Sequence, residues 1–411
     1  MSAETHDDRD PRVDEHLAVF RRGASDLTEE GELARRIAAA LEEGRPLRIK
    51  FGMDPSSPDL HMGHAVQLFK LRDLQRLGHT IVLIVGDATA RVGDPSGRNV
   101  LRPQLSAEEV EANMHTYREQ AGLVLDLDAA EVRYNSEWFD PMRFGDVLQL
   151  CTRMTVARML ERDTFQKRTA AGEPIGIHEF LYPLMQGWDS VQVQSDVEVG
   201  GSDQLFNLHV GRQVQEQVGQ APQVLLTHPL IEGTDGRKMS KSYGNAIGLT
   251  DPPEEMFRKV LGISDAPMAV WYTYLTRIAE AEIEAILAGH PMEAKLRLAA
   301  EITAGFHGAE AAGSARARFD REVRQRELPE EIAEHPWPGG PGGAEELPLS
   351  VLLRELGLVA TGGEARRIIA GGGVRLDGQV VDDPRARVAP PADSLLLQVG
   401  KRRFARVRGA S

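Results

Sequence analysis

The chain has 411 residues, 41% of them hydrophobic, and a formal net charge of −14. That length supports two or three domains with ample core, and the sequence offers no apolar run of membrane-spanning length. A single cysteine, Cys151, excludes an internal disulfide and a cysteine-based zinc site. With a polar N-terminus that lacks a signal-peptide core, these features predict a cytoplasmic protein with no membrane partner.

Residues 1–28 read as a polar lead-in, and Thr28 is placed to cap a helix over Glu29 to Glu43 that Gly44 closes. Leu47 to Phe51 alternates like a strand. Pro55 and Pro58 break it, and leucines at 68, 71, 74 and 77 predict a helix from Met62 that ends at Gly78. His61 and His64, with Gly63 between them, therefore stand where a strand hands over to a helix N-terminus. Backbone N–H groups and the helix dipole favour an anion at such a place, and imidazole donors can follow charge developing on a phosphate. Ile81 to Val85 is continuously apolar, as in a parallel strand buried on both faces, so the stretch forms a βαβ unit. A glycine-rich loop over residues 86–98 follows at the strand's carboxyl end, where open α/β sheets bind ligands.

Ser106 to about Asp163 reads as mainly helical. From His178 to Val191, Tyr182, Gln186 and Asp189 fall at i, i+4 and i+7, so one helix face carries a phenol, an amide and a carboxylate. Pro183 either opens that helix or kinks it. Asp196 to Val199 predicts a strand, followed by a tight turn over residues 200–204 with Ser202 as N-cap of a helix ending at Gly219. Val224 to Ile231 predicts another strand, which feeds Lys238-Met239-Ser240-Lys241-Ser242 in a loop bearing Gly233, Gly236 and Gly244. Two lysines on such a loop can clamp a triphosphate when the loop closes. Asp251 and Pro252 open further helices that run to about Glu334.

Residues 335–346 hold three prolines and four glycines and read as a linker. Beyond it, Leu349 to Leu356 predicts a short helix. Thr361 and Glu364 form a capping box for a helix carrying Arg366 and Arg367, and Asp377-Gly378 turns a hairpin. Residues 347–411 contain 11 basic and six acidic side chains, so this tail carries +5 and the remainder −19. A basic module on an acidic body points to a nucleic-acid contact, with Arg366, Arg367, Lys401, Arg402 and Arg403 as candidate RNA-binding residues. The predicted organisation is a lead-in (1–28), a catalytic α/β domain (29–247), a helical domain (248–334), the linker, and the basic domain.

The pair His-Met-Gly-His and Lys-Met-Ser-Lys-Ser resembles the double signature of class I aminoacyl-tRNA synthetases. The start Gly52-Met53-Asp54-Pro55, then "GDPSGR", "YPLxQGxD" and "GGSDQ" in this order resemble the tyrosyl-tRNA synthetases of that class, over about residues 30–411. The tail resembles the S-four RNA-binding module. The resemblance implies a Rossmann-like parallel-sheet domain, an α-helical domain and a small α+β RNA-binding domain. It implies an enzyme that joins tyrosine to ATP as tyrosyl-adenylate, then passes tyrosine to the 3′ end of tRNA(Tyr). ATP enters with Mg²⁺, and no tightly bound cofactor is implied. His61, His64, Lys238 and Lys241 would act on the phosphates. Gly52, Asp54, Gly63, Gly201, Asp203, Met239 and Ser240 would bind ATP. Asp94, Tyr182 and Gln186 would hold the tyrosine amine, Asp189 the phenol, and Gln204 would lie by the carboxylate. A symmetric homodimer is also implied.

Two positions depart from the usual pattern. Lys50 stands where many members carry tyrosine, as in a second bacterial branch with lysine there, and Trp188 replaces a tyrosine beside Asp189. Lys50 either approaches Asp189 or points to solvent. The rival readings are a tryptophanyl enzyme, a catalytically silent RNA-binding paralogue and a small cytidylyltransferase.

Overall fold

A computed structural model describes residues 10–55, 59–95, 107–240, 243–324, 332–338, 346–400 and 403–409. The chain divides into two compact units, Met1–Phe319 and Asp320–Ser411.

The first unit is built on a sheet of order β1-β6-β5-β2-β3-β4. Its strands are β1 (Asp26–Leu27), β2 (Arg48–Met53), β3 (Thr80–Val85), β4 (Glu131–Tyr134), β5 (Val197–Gly201) and β6 (Val224–His228). All neighbours run parallel except the β1–β6 edge. Ile81 to Ile84 are buried, as continuous apolar strands require when helices cover both faces. The order reverses at β2 and β5, so the crevice for a ligand lies beyond their carboxyl ends. The fold is the expected α/β class.

Helices α1 (Pro11–Arg21), α2 (Glu30–Glu43), α3 (Met62–Arg76), α4 (Asp87–Ala90) and α5 (Ala107–Ala121) lead into α6 (Ser136–Phe139). Then come α7 (Phe144–Cys151), α8 (Val156–Met159), α9 (Asp163–Ala171), α10 (Ile177–Gln192) and α11 (Leu205–Gln217). Helices α12 (Pro253–Leu261), α13 (Met268–Leu275), α14 (Glu280–Leu287) and α15 (Pro291–Phe319, broken at Gly308) complete the unit. Helix α3 is buried almost all round, through Met62, Ala65, Leu68, Leu71 and Leu74.

Several sequence expectations are corrected. The N-terminal lead-in contains α1, whose Val13, Leu17 and Phe20 are fully buried in the main core; one apolar stripe suffices, although the rest of that helix is polar. Lys70 of α3 donates to the carbonyls of Val19, Phe20 and Arg22 at the end of α1. Thr28 is no helix cap: its hydroxyl accepts from Leu225 N–H at the sheet edge (3.1 Å), while Glu29 takes the N-cap position at φ 56°. Residues 106–163 include a strand, β4, as well as helices. Helix α10 runs through Pro183. Ser202 lies in a 3₁₀ turn (Ser202–Gln204), and Gly201 occupies its N-cap. The helices after residue 248 form no separate body: Met256, Phe257, Trp271, Leu298 and Ile302 belong to the same core as β2 and α3.

The second unit has a sheet of order β10-β9-β12-β13-β7 and a two-stranded pair, β11-β8. Its strands are β7 (Glu334–Pro336), β8 (Leu347–Pro348), β9 (Val374–Leu376), β10 (Gln379–Val381), β11 (Arg387–Val388), β12 (Ser394–Val399) and β13 (Arg403–Arg408). Helices α16 (Leu349–Glu355) and α17 (Gly362–Ala370) pack on it. The β9–β10 hairpin turns at Asp377 and Gly378, both with positive φ (45° and 82°), as expected. The predicted linker is shorter than expected at its start, because β7 pairs with β13 and Trp337 is buried in this unit's core.

Candidate active site

Three chain segments meet at the crevice beyond β2 and β5. The first is the entry to α3. His61 is its N-cap in an extended conformation, and its Nδ1 accepts from Gly63 N–H at 3.1 Å. His64 Nδ1 accepts from His61 N–H at 3.2 Å. Each ring thus uses Nδ1 as an acceptor, so a neutral imidazole carries its proton on Nε2 as a donor. The two rings lie 4.2 Å apart. A Cβ at Gly63 would stand 2.8 Å from the His61 ring, so glycine is required for this folded-back pair.

The second segment is the loop after β6. Lys238 Nζ reaches Asp203 Oδ2 at 3.2 Å and is exposed. Buried Asn245 organises the loop by accepting from Ser240 N–H (2.8 Å) and donating to Asp235 (2.6 Å) and Lys238 O (3.2 Å). Met239 is buried and Ser240 half-buried. The returning chain is stapled to α3's entry, with Met62 N–H donating to Ile247 O (2.9 Å) and Leu249 N–H to Leu60 O (3.2 Å). Lys241 lies outside the described residues.

The third segment is a buried polar pocket. Asp189 is 3% exposed. Trp138 Nε1–H donates to its Oδ1 (2.9 Å) and Asn135 Nδ2 to its Oδ2 (3.3 Å). Burial pushes its carboxyl up to about 7, against the opposing pull of Lys50, Trp138 and Asn135. Tyr182 donates to Asp54 Oδ2 at 2.8 Å, and burial holds its phenol well above the usual range. Thr89 donates to the other oxygen of Asp54 (2.7 Å). Asp54, expected on the nucleotide side, thus accepts from Tyr182 and Thr89. Gln204 Nε2 donates to Asp94 Oδ2 (2.8 Å), and Asn207 donates to both Gln204 Oε1 (2.9 Å) and Gln186 Oε1 (3.0 Å). Arg162, buried, approaches Asp94 at 3.4 Å.

Lys50 does not point to solvent, and it acts on Asp189 only through its charge, because its ion pair is with Glu198. Its ammonium is fully buried and pairs with Glu198 Oε1 at 2.9 Å, while donating to Gln186 O and Ser190 Oγ, both at 2.7 Å. The cause is register: Lys50 and Glu198 are direct partners across β2 and β5, so both side chains leave on one face. Trp188 packs into the apolar cluster of Leu184, Val191 and Val210, with Arg153 over its ring. Gly52 is exposed at the end of β2, and Gly201 is buried at the end of β5.

The geometry gathers a buried cluster of hydrogen-bonded polar side chains beside the α3 entry, with the lysine loop reaching Asp203 next to it. Residues 42–323 match the family model for "tRNA synthetases class I (W and Y)", and residues 347–393 match the S4 domain. The chain is 48% identical over 404 residues to a tyrosine--tRNA ligase of Bordetella bronchiseptica, covering 97% of each chain. The chain belongs to the tyrosine--tRNA ligase family. A tyrosine--tRNA ligase of Thermotoga maritima is 48% identical over 403 residues, with 96% of this chain and 98% of the relative covered. Among solved structures, the tyrosyl-tRNA synthetase of Archaeoglobus fulgidus complexed with L-tyrosine superposes with a TM-score of 0.59 at 24% identity. It covers 74% of this chain and 99% of that one. A truncated mitochondrial enzyme of Aspergillus nidulans gives 0.62 at 24%, covering 77% and 94%. These two likenesses bear on the fold alone.

Sequence reasoning did not pick out Asn135, Trp138, Thr89, Arg162, Glu198, Asn207 or Asn245, which the structure joins to the expected site residues. The spacing Asn135-x-x-Trp138 just after an alternating stretch, Glu131 to Tyr134, was the available signal for the first two. In the second unit, Arg366 and Arg367 are exposed on α17, whereas Arg403 donates to Leu358 O (2.6 Å) and pairs with Glu364 at 3.4 Å. Lys401 and Arg402 lie outside the described residues.

Proposed function

We infer that this member of the tyrosine--tRNA ligase family binds tyrosine in the buried pocket and ATP, as its Mg²⁺ complex, along the α3 entry and the lysine loop. The observation that carries this reading is Asp189. Its two oxygens are held in place by Trp138 and Asn135, leaving an anchored carboxylate to accept a hydrogen bond from a phenol. Tyr182, Gln186 and Asp94 supply oxygens suited to an ammonium. The tyrosine carboxylate then attacks the α-phosphate in line and pyrophosphate leaves. His61 and His64 donate to the phosphates through Nε2–H, and Lys238 and Lys241 meet the departing charge, so positioning and charge stabilisation do the work. Transfer follows when a hydroxyl of the tRNA's terminal ribose attacks the tyrosyl carbonyl and AMP leaves.

The C-terminal unit holds the tRNA, with exposed Arg366 and Arg367 among its contacts. Lysine at position 50, paired with Glu198, takes the place that tyrosine holds in many relatives. The active form is a homodimer, for which the exposed apolar side chains Phe144 (76% exposed), Val156 (62%), Leu148 (50%) and Ile177 (83%), on α7, α8 and α10, are the candidate contacts. Pyrophosphate exchange with tyrosine, tryptophan and no amino acid tests the substrate. Exchange driven equally by tryptophan overturns the reading. Light scattering of Phe144→Glu against the unaltered protein tests the dimer, and two equal masses would remove this surface from the interface.

A further inference from the structure

The buried pair Lys50–Glu198 has no part in the chemistry described above, yet it ends a directed chain of side chains. Glu198 can only accept, and it accepts from Gln186 Nε2 (3.0 Å), Ser190 Oγ (3.3 Å) and Gln223 Nε2. That contact fixes which way the Gln186 amide faces. Its Oε1 is turned to Asn207 (3.0 Å), which also donates to Gln204 (2.9 Å), and Gln204 in turn donates to Asp94 (2.8 Å). Two carboxylates, Glu198 and Asp94, thus terminate one row of amides and set every amide in it. Lys50, meanwhile, grips α10 at Gln186 O and Ser190 Oγ, on either side of Asp189 in sequence.

We propose that Lys50 and Glu198 form one positioning pair for tyrosine, in which Glu198 orients the Gln186 amide toward the substrate amine and Lys50, gripping α10 on either side of Asp189, fixes that carboxylate for the phenol. The proposal rests on the tyrosine--tRNA ligase reading and adds the pair to it. The charged and titratable groups around Asp189 are Lys50 from β2, Glu198 from β5 and Tyr182 on its own helix, with Asp54 and Asp94 reached through Tyr182. Lys50 opposes the upward push of burial on the Asp189 carboxyl, and Glu198 adds to that push. A pair serving only to hold β2 against β5 would be replaceable by apolar groups of similar volume, often without loss of stability.

The test uses the full-length protein and four variants: Glu198→Gln, Lys50→Met, Lys50→Arg and the double Lys50→Met/Glu198→Leu. In pyrophosphate exchange, Glu198→Gln is expected to raise KM for tyrosine about tenfold with KM for ATP within about twofold, as for one disordered buried polar contact. Lys50→Met is expected to move the acid limb of kcat/KM for tyrosine upward by roughly one pH unit, since an opposite charge has been removed from a buried carboxyl. Lys50→Arg should return that limb toward its original position. The double variant leaves no unpaired charge, so it should melt near the unaltered protein while its KM for tyrosine stays raised. Recovery of both melting temperature and KM in the double variant overturns the proposal, as does an unmoved acid limb in Lys50→Met. Unaltered protein without tyrosine-dependent exchange would instead overturn the ligase reading.

Discussion

The two ends of the crevice solve opposite problems. At the tyrosine end, charge is buried and answered by charge or by fixed donors: Lys50 by Glu198, Asp189 by Trp138 and Asn135, Asp54 by Tyr182 and Thr89. At the proposed phosphate end, Lys238 has a side chain 56% exposed and, among the described residues, one ion pair, with Asp203, and the two histidines present Nε2 from a helix start. The buried end is organised by the chain's own contacts, as its proposed role in reading the substrate requires. The exposed end costs little to rearrange, because solvent screens its ion pair, which suits the phosphate handling proposed for it.

The sharpest way to break that contrast is at the lysine loop. Lys241→Ala is expected to slow adenylate formation by roughly 10²–10³, the scale for losing one transition-state charge contact, with tyrosine affinity unchanged. Stopped-flow measurement of adenylate formation checks it, and an unaltered rate would remove Lys241 from the chemistry. Asp189→Ala attacks the other end. It should lower the tyrosine-to-phenylalanine ratio of kcat/KM by about 10², because the phenol loses a charged partner in a dry site. Lys50→Ala should lower the ratio less. A mutant that still excludes phenylalanine would show that another residue reads the phenol.

Removing residues 320–411 asks whether both ends work without the second unit. Pyrophosphate exchange should survive, while tRNA charging at low tRNA concentration should fall at least about tenfold. The intact protein's tRNA affinity should drop with salt in proportion to the phosphates it neutralises. The cut belongs before residue 332 and not at Leu347, because β7 and Trp337 are part of that unit. Acid should separate the two ends more gently. A carboxyl pushed up to about 7 becomes neutral below that pH and is then a weaker acceptor for the phenol. Tyrosine binding should therefore weaken several-fold between about pH 7.5 and 6.5, a trend that equilibrium dialysis would reveal or deny. The smallest effect is expected from Asn245→Ala, which should slow adenylate formation a few-fold by releasing loop hydrogen bonds of about 1 kcal/mol each and leave KM for tyrosine unchanged.

The phosphate end was the legible one. Prolines, a leucine period and a terminal glycine mark β2 and α3 directly in the sequence, and those local signals also place His61 and His64. The pocket was half legible. The spacing of Tyr182, Gln186 and Asp189 survives in α10, but their partners come from distant strands. Nothing near Lys50 announces Glu198; only the β2–β5 register joins them. Strand β4 escaped because it is four half-buried residues at the sheet's edge, too short for a period to emerge, and Asn135 and Trp138 were lost with it. Helix α1 was read as polar because its buried face is only one stripe among charged residues.

The staple between Ile247–Leu249 and Leu60–Met62 has a consequence for synthesis of the chain. It joins segments between which four of the six strands of the first sheet lie, so its closure must await those strands and the helices among them. A ribosome-bound chain that has emerged only as far as β5 already carries both histidines and Asp189, yet its nucleotide edge has no partner backbone to set it. Activity should therefore switch on late and all at once during translation, and fragments ending before residue 247 should neither consume ATP nor release a reactive adenylate into the cell.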